Sequence, residues 1–186
     1  MKKQHNFQKQ NGFTLVELLI GMTIFSLFLG ATVGVLIFAI RIQRRFLLQQ
    51  NVLGQLNFDI EYMNRALRMA VKEGEDGECI SAGTSYENIN GDSSISFINH
   101  LQGDDCQEFF LENNILKYRK GINAQEETFD LTSPKVEIID LDFSIIGGSG
   151  EDDIQPRVTI KIKGNVQRLN LPILLQTTVS QRNLDI

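Results

Sequence analysis

Between Phe13 and Ile40 the chain runs for about 28 residues with a single charged side chain, Glu17. A helix needs about 20 apolar residues to cross a bilayer, so this run is long enough to span. It is built from Leu, Ile, Val and Phe. Its exceptions are small or weakly polar: Thr14, Gly21, Thr23, Ser26, Gly30, Thr32 and Gly34. Small residues are what close helix–helix packing in lipid uses. A carboxylate in such a helix costs roughly 2.5–3.5 kcal/mol near the bilayer centre and less near an interface. Glu17 is therefore a functional candidate, and its partner has to be sought.

Ahead of the run lies a short polar leader carrying Lys2, Lys3 and Lys9, which ends at Gly12. A secretory signal would instead pair an apolar core of roughly 7–15 residues with a small-residue cleavage site behind it. Here the far end reads Phe38-Ala39-Ile40-Arg41, a poor site, and the natural cut falls between Gly12 and Phe13. The stretch Gly12-Phe13-Thr14-Leu15-Val16-Glu17-Leu18-Leu19-Ile20 resembles the class III signal of type IV pilins and of type II secretion pseudopilins. That resemblance covers residues 1 to about 42. It implies cleavage after Gly12 by a membrane-embedded prepilin peptidase and N-methylation of Phe13. It also implies storage in the cytoplasmic membrane and assembly with other pilin or pseudopilin subunits by an inner-membrane platform. Gly34 stands where many major pilins carry a helix-kinking proline.

Cleavage would leave a free amine on Phe13, cationic near neutral pH. In a bundle of such helices Glu17 could pair with the amine of a neighbouring subunit. Two charges in an apolar setting set register more than they add stability. A pair within one chain, one helical turn apart, is also conceivable. So is a Glu17 that lies near the headgroups and reaches water.

The whole chain of 186 residues carries a formal charge of −5, which becomes −8 without the three leader lysines. The expected partners are thus peptidase, subunits, platform and membrane lipid. Nucleic acid is not among them, since phosphate binding wants a basic face. No Trp, two His and two Cys leave few metal or catalytic constellations. No cofactor and no enzyme activity is expected. Three lysines precede the apolar run and Arg41, Arg44 and Arg45 follow it, so the positive-inside rule is a draw. The resemblance places the leader in the cytoplasm and the bulk outside. The arginines then sit at the outer membrane surface or pair with acids of neighbouring subunits, Asp59 and Glu61 being candidates by sign. In that compartment a Cys79–Cys106 disulfide is permitted. It would close a loop of about 28 residues, worth roughly 3–4 kcal/mol in a disputed entropic account. The alternative is two buried thiols.

The organisation expected is leader 1–12, membrane and assembly helix 13–42, amphipathic extension 43–73 and β domain 74–186. Leu53, Leu56, Ile60, Met63, Leu67 and Ala70 recur at helical spacing, a one-sided stripe on which a β domain can pack. Gly74 to Gly77 carries turn chemistry that ends a helix near Lys72. Beyond it the apolar period becomes two. Ser94 to Ile98 reads as a strand. Glu108 to Lys120 reads as a hairpin turning at Asn113-Asn114. A phase slip at Ile138-Ile139 suggests a bulge. Val158, Ile160 and Ile162 alternate with Thr159, Lys161 and Lys163, and Pro172 demotes a last strand, 169–179, to an edge or bulge. The fold expected is α+β, a long N-terminal helix over an antiparallel meander.

Glu151, Asp152 and Asp153 cluster in a glycine-containing loop. Hard cations want grouped oxygen ligands, so calcium is one reading and a solvated hairpin tip the other. Three functions compete: a filament subunit, minor in type and set at a filament's start or tip; a membrane-tethered binding domain that never assembles; and a tethered enzyme. No nucleophile–base or metal pattern supports the last. A plain tether needs neither an N-terminal cut nor an intramembrane acid.

Overall fold

The computed structural model describes residues 12–75, 77–100, 103–121, 126–148, 154–166 and 172–182. One helix, α1 (Leu15–Arg68), leads into eight strands: β1 (Ala70–Val71), β2 (Ser94–Asn99), β3 (Asp105–Glu112), β4 (Ile115–Lys120), β5 (Glu127–Asp130), β6 (Val136–Ile146), β7 (Arg157–Val166) and β8 (Pro172–Ser180). The chain divides into two units, Met1–Phe46 and Leu47–Ile186.

In the first unit, α1 exposes its side chains on every side, from Leu15 through Phe46. Its weakly polar residues are turned inward on the backbone. Thr23 Oγ1 donates to Ile20 O at 2.8 Å, Ser26 Oγ to Met22 O at 2.8 Å, and Thr32 Oγ1 to Leu29 O at 2.9 Å. Hydroxyls bonded to a preceding carbonyl leave the outside of the helix apolar, as lipid demands. By length and composition this helix can cross a membrane.

The second unit holds the core. Val52, Leu56, Ile60, Met63 and Leu67 of α1 are buried against Ile95, Phe97, Phe109, Leu116, Phe143, Ile160 and Ile162 of the strands. The stripe differs from expectation at two places. Val52 is buried where Leu53 was expected and Leu53 is half-buried, while Asp59 joins the buried face with no exposed surface. At Gly164 of β7 the approach is tight: a Cβ there would come within 2.9 Å of Leu56 Cδ1.

α1 stops at Arg68, not near Lys72, so the end of the expected 43–73 helical extension is a strand and a loop. Tertiary donors take the carbonyls that a longer helix would have used internally. Tyr86 Oη donates to Leu67 O, Arg182 N to Arg68 O, His100 N to Met69 O and Gln181 Nε2 to Ala70 O. Ala70 and Val71 instead pair with Asn99 and Ile98.

The strands are antiparallel and follow chain order, but they form two sheets rather than one meander: β1-β2-β3-β4-β5 and β6-β7-β8. The break comes after β5. Leu131 N and Thr132 N both turn back to Leu116 O, and β6 lies instead beside the first sheet. Ile138 N donates to Asn114 O at 2.9 Å and Phe143 N to Asp92 O at 2.7 Å. The β3–β4 turn uses Asn113 and Asn114 at φ of 52° and 63°, the left-handed pair that a two-residue hairpin needs. The register of β6 on β7 shifts between Ile138 and Asp140, the expected bulge, and β8 is an edge strand beginning at Pro172.

Candidate functional site

Gly12, Phe13 and Thr14 precede α1, and the helix opens on a capping arrangement. Thr14 Oγ1 accepts from Glu17 N at 3.3 Å, and Thr14 O accepts from Leu18 N at 3.2 Å. A threonine at the cap with a glutamate three residues on is a helix-starting pattern, and an acid in the first turn suits the positive end of the helix. Phe13 is 83% exposed, and Glu17 and the apolar residues around it are also exposed.

The glycines here have no task inside the chain. A Cβ at Gly12, Gly21, Gly30 or Gly34 would meet nothing within 4 Å. In a helix interior each glycine costs about 1 kcal/mol relative to alanine. Among the described residues of this unit no contact at these glycines offsets that cost, which is what close approach by another helix would do.

Arg41, Arg44 and Arg45 are exposed and make no ion pair among the described residues. The two acids matched to them by sign are engaged elsewhere in this chain. Glu61 pairs with Arg65. Asp59 Oδ1 accepts from Gln55 Nε2 at 2.9 Å and its Oδ2 from Thr132 Oγ1 at 3.2 Å. Burial lifts the Asp59 carboxyl to about 6, against the pull of those two hydrogen bonds. Asp59, a candidate by sign for the arginines, is instead turned into the core. Its position three residues after Leu56 and four before Met63, on the apolar stripe itself, was the signal that could have found it.

Cys79 and Cys106 are disulfide-bonded. The bridge ties the segment after α1 to β3, and Glu73 steadies that segment by accepting from the backbone amides of Gly74, Cys79 and Ile80 at 3.1–3.3 Å. Beside the bridge lies a polar cleft of about 210 Å³, lined in part by Ser96, Glu108 and Arg119. Burial holds Glu108 above the ordinary carboxylate range, and Arg119, whose Nη1 lies 2.9 Å from its Oε2, pulls it back. This is an internal ion pair, not a nucleophile and base. Among the described residues no group of three or more His, Cys, Asp or Glu could hold a metal ion. The calcium reading at Glu151, Asp152 and Asp153 falls outside the described residues.

Residues 7–33 match the family model of the prokaryotic N-terminal methylation motif. The match takes in residues 7–12, Phe13, Glu17 and the first three quarters of the apolar run. This segment matches a prepilin-type signal, and the match covers 27 of the 186 residues. No curated protein and no solved structure matches the chain.

Proposed function

We propose that the chain is a structural subunit of the pilin and pseudopilin kind, minor in type, assembled into or at the tip of a type IV pilus or a type II secretion pseudopilus. Prepilin peptidase hydrolyses the Gly12–Phe13 bond, water supplying the new carboxylate of Gly12 and the new amine of Phe13. That amine, deprotonated, then takes a methyl group from a sulfonium donor, which leaves as its thioether, and releases a proton. The mature chain rests in the cytoplasmic membrane with its bulk outside until the inner-membrane platform draws it into the fibre.

The observation that carries this reading is the methylation motif set on a helix that is apolar all round, with one acid in its first turn. In lipid Glu17 has water and headgroups near it. In a packed bundle it has neither, and the cationic Phe13 terminus of an adjoining protomer is the charge that answers it. Their pairing fixes how far one subunit slides along the next. The internally bonded hydroxyls and the unoccupied space at Gly21, Gly30 and Gly34 support the same picture of a helix built for other helices.

Two measurements test it. Mass spectrometry of the native chain is expected to find a methylated Phe13 at its start; an intact Met1, or a cut behind the apolar run, refutes the processing step. Glu17→Leu is expected to enter the membrane normally and to be lost from sheared fibres by at least tenfold. Incorporation at the native level would remove the pairing idea.

A further inference from the structure

The charges of α1 are spaced to the thickness of a bilayer. Glu17 and Arg41 are 24 positions apart on one uninterrupted helix, about 36 Å at 1.5 Å per residue. The charge-free stretch between them, 18–40, measures about 35 Å, slightly more than the ~30 Å hydrocarbon layer, and a modest tilt accommodates the excess. With Arg41 at one headgroup layer, Glu17 reaches the other.

Arg41, Arg44 and Arg45 follow the i, i+3, i+4 rule, so they share one face of the helix. All three are exposed and free of ion pairs among the described residues. No acid occurs in the sequence between Glu17 and Asp59, and Asp59 is buried and hydrogen-bonded. Three unpaired guanidinium groups on one face, at the depth where the apolar run ends, match the phosphate oxygens of lipid headgroups, which guanidinium forks bind in bidentate fashion.

We propose that Arg41, Arg44 and Arg45 form a docking surface for the phosphates of anionic phospholipids at the end of the span distal to Glu17. This surface sets the depth of the resting subunit. The proposal rests on the reading of α1 as membrane-inserted and adds the lipid class and the residues. Each arginine near an anionic surface is worth roughly a fivefold gain in affinity, weakened by salt.

The test uses the mature full-length chain in nanodiscs of phosphatidylcholine containing a minority of phosphatidylglycerol. Lipids retained after gentle release are counted by native mass spectrometry. Retained phosphatidylglycerol is expected to be enriched at least about fivefold over the bulk ratio, the enrichment falling at high salt and vanishing in R41Q/R44Q/R45Q. Inorganic phosphate added to discs of phosphatidylcholine alone is expected to leave the chain's retained lipids unchanged. Retention at the bulk ratio, or enrichment that survives the triple substitution, overturns the proposal while leaving insertion intact. Cross-linking of these arginines to carboxylates of another subunit, without lipid enrichment, assigns the surface to protein and overturns it too. A chain that stays outside the disc overturns the membrane reading itself.

Discussion

Asp59 occupies a place on α1 where an apolar side chain would pack, and its two hydrogen bonds only partly offset the loss of water. Its carboxyl sits at about 6 in the fold, against an ordinary value of 3.8. The folded state therefore holds this proton more tightly than the unfolded chain does. The stability gained from that is complete below pH ~4 and is lost as pH rises through about 6. At neutral pH the buried carboxylate is a net cost, so Asp59→Asn is expected to stabilise the protein by about 1 kcal/mol at pH 7.5 and to give no gain at pH 4. Thermal melts of both chains across that range check the sign. Gly164 makes the opposite kind of demand. A methyl group there forces the fully buried Leu56 side chain to shift, and Gly164→Ala is expected to cost about 1–3 kcal/mol in chemical denaturation.

The disulfide joins the segment after α1 to β3, and its loss is felt by both elements. Cys79→Ser with Cys106→Ser is expected to lower stability by about 2–4 kcal/mol, read as a lower melting temperature than the oxidised native chain shows. Elements with a regular apolar period were legible in the sequence. The α1 stripe, the Asn113-Asn114 hairpin, the bulge after Ile138 and the edge position forced by Pro172 all follow from side-chain spacing or backbone chemistry, which act locally. What escaped was set by distant groups. α1 ends at Arg68 because Tyr86, His100, Gln181 and Arg182 supply donors to its last turn and to Met69 and Ala70. β5 has no buried residue and hence no alternation to read. The division into two sheets depends on Leu116 O drawing in the segment after β5. At the candidate site, the methylation motif over residues 7–33 was legible because such a signal is written in consecutive residues. The burial of Asp59 was hidden because a carboxylate is ordinarily turned to water, even beside an apolar stripe.

At the scale of the whole chain, the two units divide their tasks. Among the described residues, every member of the buried core lies between Val52 and Val179, inside the unit Leu47–Ile186. A chain beginning at Leu47 is thus expected to fold, with a near-ultraviolet circular dichroism spectrum like that of the full protein and a melting temperature within a few degrees of it; a featureless spectrum would show that the first unit contributes to the core after all. Among its described residues the first unit buries no side chain. From Leu15 to Phe46 its oily side chains have no internal shelter on any side. So broad an oily surface is costly to hold in water. On the filament reading proposed above, each copy passes directly from one greasy host to the next, and one left behind by its fibre returns to the bilayer or is destroyed.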